Sequence, residues 1–151
     1  MKESLYEFTI AGLAIMTTND SNQMQHDISN LWERFITENI RDKIIHKISN
    51  KIYALYTDYV SDFTKPYRFI LGCAVSNSSQ QDKGLFIKTV PQLTYEVFNV
   101  TGQYPQALIN AWQNVWSGNL KRAYIADFEL YPEDFDPVTK TNLDLYISVS
   151  K

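Results

Sequence analysis

The segment Ala123-Tyr124-Ile125-Ala126-Asp127-Phe128-Glu129-Leu130-Tyr131 sets two carboxylates two residues apart in an otherwise apolar and aromatic run. Side chains alternate along an extended chain, so Asp127 and Glu129 share a face with Ile125 and Tyr131. Tyr124, Ala126, Phe128 and Leu130 take the other face, which reads as core. The acidic face is either open to solvent or turned into a cleft. In a cleft, Glu129 needs a counter-charge, because an unpaired buried carboxylate is costly. An organic cation can supply it, with aromatic rings adding cation–π contact. Trp32, Trp112 and Trp116 fall on apolar helix faces, and Tyr53, Tyr56 and Tyr59 on the strand expected to match that of Glu129. For each Trp taken singly, gluing helix to sheet is the plainer role.

Other chemistries lack their parts. His26 and His46 stand twenty residues apart without metal-ligand spacing and read as surface residues. Cys73, the one cysteine, lies in Phe69-Ile70-Leu71-Gly72-Cys73-Ala74-Val75 and reads as a buried core thiol. A lone cysteine allows neither an intrachain disulfide nor a cysteine zinc cluster. The five glycines are scattered singly, so no phosphate-cradling loop is present, and no G-x-S-x-G elbow occurs. No cofactor or metal is expected.

The elements that must carry these residues follow from periodicity. A strand is expected over 6–17, with Gly12 marking a bulge or a close backbone approach. After a polar loop (18–23), a helix over about 25–39 puts Ile28, Leu31, Trp32, Phe35 and Ile36 on one face. A basic connector (43–50) leads to strands at 52–60 and 67–76, joined by a turn at 61–66. The polar stretch 77–83 reads as a midpoint linker. Extended segments at 85–90 and 94–100 come next, and a turn at 102–105. A helix over about 106–116 then carries Leu108, Ala111, Trp112, Val115 and Trp116, with Gly118 as its stop. A strand at 123–131, a loop at 132–141 and an alternating strand at 143–149 finish the chain. The order strand, helix, strand, strand thus occurs twice, with Leu31-Trp32-Glu33-Arg34-Phe35 aligning with Ala111-Trp112-Gln113-Asn114-Val115. The expected fold is α+β: duplicated strand-helix-strand-strand modules, an antiparallel sheet and two helices flanking a ligand cleft. One domain spans 1–151, with halves at about 1–77 and 84–151.

Length and charge narrow the partners. A chain of 151 residues supports one sizeable core. The net charge of −3 and the absence of a basic stripe argue against direct nucleic-acid binding. No continuous apolar stretch reads as a signal peptide or a membrane span, so a soluble, cytoplasmic protein without membrane association is expected.

The order of these pieces resembles a known group, the GyrI-like effector-binding domains that occur fused to AraC- and MerR-type transcription regulators. It is especially similar to the stand-alone integron-cassette effector-binding proteins. The matching residues are Leu31 to Phe35, Ile52 to Tyr59 with Ser61-Asp62-Phe63, Leu71-Gly72-Cys73, Ala111 to Trp116, and Arg122-Ala123-Tyr124 with Asp127 to Tyr131. Phe135-Asp136-Pro137 and Asp144 to Ile147 complete the series. The resemblance implies a hydrophobic cleft for amphipathic, often cationic, drug-like molecules. It implies Glu129 as the cleft carboxylate and Trp32, Tyr56, Trp112 and Trp116 as its aromatic lining. The chain shows no helix-turn-helix beside this domain, so a role in transcription would need a regulatory protein partner; a homodimer is also permitted.

The leading expectation is a non-enzymatic ligand sensor or sequestering protein. One rival is a small-molecule hydrolase in which Glu129 beside a Tyr acts as general base. Another is a protein-binding inhibitor, as the gyrase association of the family name suggests.

Overall fold

The computed structural model describes residues 1–18, 20–61 and 65–150; Phe63 and its two neighbours in the expected 61–66 turn lie outside the described residues. The strands are β1 (Lys2–Leu5), β2 (Phe8–Thr17), β3 (Ile52–Thr57), β4 (Tyr67–Val75), β5 (Phe86–Val90), β6 (Leu93–Val100), β7 (Ala126–Tyr131) and β8 (Leu143–Val149). The helices are α1 (Ser21–Thr37), a single turn α2 (Ile40–Lys43) and α3 (Gln106–Ser117). All strands join one antiparallel sheet in the order β1-β6-β8-β7-β3-β4-β2-β5.

That order is palindromic about the β3–β7 pair. The triplet β2-β4-β3 on one side matches β6-β8-β7 on the other, so the duplicated module of the sequence is present as a topology. The leading strands are exchanged: β1 pairs with β6 of the second module, and β5 pairs with β2 of the first. β1 was not foreseen, because its four residues, Lys-Glu-Ser-Leu, carry no alternating apolar signal.

Several boundaries move for local reasons. α1 begins four residues earlier than expected, because the Asp20 side chain caps it by accepting from the Gln23 backbone N–H at 3.2 Å. β3 stops at Thr57, where Asp58 turns left-handed with φ 51°. β7 starts only at Ala126, after Tyr124 takes φ 56°. Gly12 marks no bulge, since the β2–β4 register runs unbroken from Thr9↔Val75 to Thr17↔Tyr67. It is a close approach: a Cβ there would sit 1.9 Å from the Leu71 carbonyl oxygen.

Both faces of the sheet are core. α1 and α3 cover one face with Leu31, Phe35, Leu108, Trp112 and Val115, over Leu71, Tyr131 and Leu145 of the sheet. Cys73 is buried in this layer, and burial pushes its thiol up to about 11, which leaves it protonated at neutral pH. Ile36, expected on the packed face of α1, is instead 64% exposed. The opposite face gathers Phe8, Tyr53, Tyr95 and Phe128, with Phe128 stacked on Tyr146 at 4.5 Å. In the sheet order β2 lies three strand spacings from β7, about 14 Å in a flat sheet. Phe8 of β2 nevertheless meets Phe128 of β7 at 5.6 Å between ring centroids, so the sheet curls around this second cluster. Tyr53 belongs to this face and does not join Tyr56 beside Glu129, because the two residues stand three apart on one strand.

The candidate binding site

β7 is the strand that joins the two modules, paired with β3 on one side and β8 on the other. Its position in mid-sheet, on the face that α1 and α3 cover, buries both carboxylates: Asp127 is 0% and Glu129 3% exposed. They point to the helix side, with Tyr131 beside them, as alternation requires. Ile125 precedes the strand and is largely exposed.

Asp127 is fully neutralised. Its Oδ2 accepts from Arg122 Nη2 at 2.7 Å and from the Tyr59 hydroxyl at 2.5 Å. Its Oδ1 accepts from the backbone N–H and the hydroxyl of Ser148. Arg122 is itself buried and lies over the Tyr124 ring at 4.4 Å.

Glu129 is held by neutral donors instead. Tyr56 Oη and Trp112 Nε1 each donate to Oε2 at 2.8 Å, and Tyr131 Oη donates to Oε1 at 2.6 Å. Tyr131 is in turn 3.3 Å from the Tyr104 hydroxyl. No ion pair reaches Glu129 among the described residues. Burial pushes its carboxyl above the usual range, and the bonds from Tyr131, Trp112 and Tyr56 pull only part of the way back. Burial, and then the charge of Glu129, hold the Tyr56 and Tyr131 hydroxyls well above the ordinary phenol range, so both remain donors. Its cross-strand partner is Ala54, whose methyl leaves room for the carboxylate and its three donors.

The expected lining residues converge here to different degrees. Tyr56 and Trp112 touch Glu129 and pack on each other at 4.9 Å. Trp116 lies behind Trp112 at 6.0 Å. Trp32 stands edge-on to Tyr131 at 5.1 Å, and Tyr131 in turn donates to Glu129. Tyr59 serves Asp127. Sequence reasoning passed over Tyr131 and Tyr104. Tyr131 carried a signal, as the residue two beyond Glu129 on the same strand face; Tyr104, from a turn 25 positions earlier, carried none.

Glu129 itself is covered by Trp112. Beside it opens a cavity of about 470 Å³, walled by Trp32 and Ile36 of α1, Tyr104, Phe135 and Tyr131. Among the described residues, no group of three or more His, Cys, Asp or Glu could hold a metal ion. No helix among them is long and apolar enough to cross a membrane.

A large antiparallel sheet with its helices packed on one face, around a buried carboxylate and aromatic side chains, places the chain among effector-binding proteins. The chain belongs to the family of integron-associated effector binding proteins, whose model matches residues 3–149. It is 32% identical to an integron cassette protein from the mobile metagenome of Vibrio cholerae, covering 99% of this chain and 95% of that one with a TM-score of 0.75. The fold also matches SAV2435 bound to tetraphenylphosphonium, at a TM-score of 0.80 and 20% identity over 99% and 93% of the two chains. YobU of Bacillus subtilis (strain 168), named as a candidate transcriptional regulator, is 21% identical over 146 residues, 93% of this chain and 91% of its own. The resemblance to the stand-alone integron-cassette group is thereby upheld.

Proposed function

We propose that this protein binds amphipathic organic cations, with Glu129 as the counter-ion and Tyr56, Trp112, Tyr131 and Trp32 as the aromatic surround. The observation that carries the reading is the buried Glu129 carboxylate, which has three neutral donors and no cationic partner among the described residues. An arrangement of this kind keeps part of the charge uncompensated until a cation arrives. The aromatic faces around it suit a flat or multi-ring cation. Tetraphenylphosphonium on the structurally similar SAV2435 supports the same ligand class. In this reading Trp112 is the cover: the ligand's charge replaces the indole N–H at Glu129 as the ring moves aside. The cellular role is that of a ligand sensor of the transcription-regulator type, acting through a protein partner in the cytoplasm.

Calorimetric titration with tetraphenylphosphonium and a neutral tetra-aryl analogue tests it. Wild-type protein should prefer the cation, and Glu129→Gln should weaken the cation by at least tenfold, about 1.4 kcal/mol, while leaving the neutral analogue unchanged. Equal affinities of wild type and Glu129→Gln for the cation would remove Glu129 as counter-ion. Hydrolysis of an electrophile that disappears in Glu129→Gln would replace binding by general-base catalysis.

A further inference from the structure

The two modules present similar Trp–Tyr pairs on the helix side of the sheet, and a cavity lies beside the Trp32–Tyr131 pair. Trp112 meets Tyr56 at 4.9 Å and 63°, and Trp32 meets Tyr131 at 5.1 Å and 77°. The helix alignment that equates Trp32 with Trp112 also equates Ile36 with Trp116, four residues further on in each helix. Trp116 is half-buried and tilts against Trp112 at 6.0 Å. Ile36 is 64% exposed, and the space before it is the 470 Å³ cavity. One large side chain in α3 and one smaller one in α1 thus leave the site open on the α1 side, where this cavity lies.

The open end has the chemistry to receive an aromatic body. Tyr131 meets Phe135 at 4.9 Å, Tyr104 meets Phe135 at 5.0 Å, and Trp32 completes the wall. The charged groups at its rim are Arg41, Asp42 and Glu133, a net excess of one negative charge. Tyr131 is the wall shared with the buried carboxylate, its hydroxyl 2.6 Å from Glu129 Oε1. We propose that this cavity is the compartment for the aromatic body of the cation, and that Ile36 is the residue that sets which bodies fit. The proposal rests on the cation-binding reading of Glu129 and adds a size rule to it. Multi-ring cations occupy the cavity with a ring between Trp32, Tyr104 and Phe135. Cations bearing a single small ring need only the neighbourhood of Glu129 and are indifferent to position 36.

Ile36→Trp places in α1 the residue that α3 carries at the equivalent position, at a site exposed enough to leave folding intact; an unchanged melting temperature verifies this. Affinities for tetraphenylphosphonium and benzyltrimethylammonium are measured on wild type, Ile36→Trp and Ile36→Ala. The expected result is a tenfold or greater loss of tetraphenylphosphonium affinity in Ile36→Trp, less than threefold change for benzyltrimethylammonium, and no loss of either in Ile36→Ala. Tetraphenylphosphonium binding to Ile36→Trp as to wild type overturns the size rule alone. Failure of wild type to bind either cation overturns the cation reading of Glu129 as well.

Discussion

Asp127 and Glu129 stand two residues apart on one face of one strand, equally hidden from solvent, and the fold treats them in opposite ways. Asp127 receives a full positive charge from Arg122 together with bonds from Tyr59 and Ser148. Glu129 receives the hydroxyls of Tyr56 and Tyr131 and the indole N–H of Trp112, with no cationic partner among the described residues. The first arrangement satisfies both oxygens of Asp127 and braces β7 to β8 and to the Arg122 segment, although Nε and Nη1 of Arg122 stay buried without a hydrogen bond. The second satisfies hydrogen bonds and gives the carboxylate no counter-charge among the described residues. The contrast teaches that a buried acid is not by itself a site; what separates the two is the cationic partner that Asp127 has and that Glu129 lacks among the described residues, the difference on which the proposed counter-ion role rests.

The largest expected effect comes from making the same isosteric change in both acids. Asp127→Asn leaves the Arg122 guanidinium buried without its partner, and breaking a buried pair in this way costs about 3–5 kcal/mol. At this chain length each kcal/mol moves the melting temperature by roughly 2–4 °C, so thermal unfolding should drop by roughly 6–20 °C. Glu129→Gln removes a charge that burial disfavours and should match or exceed wild type in stability at neutral pH. Comparable losses in both variants would erase the distinction between the two acids.

How much of this was readable beforehand differs between the two levels. The α+β class, the duplicated order and the face shared by Asp127, Glu129 and Tyr131 follow from alternation and helical spacing, which are local properties of the chain. The exchange of β1 and β5 between modules was not legible, because pairing partners are chosen by the whole sheet and Lys2–Leu5 is too short and polar to announce itself. Within the site, Glu129 followed from strand alternation, whereas type and position offered Tyr53, Tyr56, Tyr59 and three Trp alike, and Tyr56 and Trp112 were set beside it by the family resemblance. The role of Arg122 was not legible, since its alignment with Asp127 depends on the turn in which Tyr124 adopts φ 56°. The exposure of Ile36 was hidden for a related reason: a helical face fits its periodicity, and only the tertiary arrangement leaves that position without a neighbour.

An intermediate effect tests the donors around Glu129. Tyr131→Phe removes the donor that does most to pull the Glu129 carboxyl down, and bonds to charged groups contribute about 1.5–3 kcal/mol. The Glu129 carboxyl already lies above its unfolded value, so the native state holds its proton more tightly than the unfolded state does. Stability from this group is therefore greatest at acid pH and falls as pH rises through the folded value. Cation affinity has the opposite sense: full above that value and lost below it. Tyr131→Phe should move both transitions to higher pH, read by unfolding and by titration with tetraphenylphosphonium across a pH series. A midpoint that stays in place would mean that Tyr131 shapes the cavity wall without tuning the acid.

The smallest effect is expected one step further out. Tyr104 makes no hydrogen bond to Glu129; its hydroxyl lies 3.3 Å from that of Tyr131, which has committed its own proton to Glu129 Oε1. Tyr104 must then be the donor of that outer bond, and a donated proton makes the Tyr131 hydroxyl a better donor in turn. At 3.3 Å the bond is long, so its loss in Tyr104→Phe should cost about 0.5 kcal/mol, the low end for a neutral pair. The shift in the pH midpoint of cation binding should run in the same direction as in Tyr131→Phe and be smaller. In the double variant Tyr104→Phe/Tyr131→Phe the midpoint should equal that of Tyr131→Phe alone, because Tyr104 acts on the acid only through the hydroxyl already removed. Additive shifts would show that Tyr104 acts on Glu129 by a second route, through the cavity that Tyr104 and Tyr131 both line.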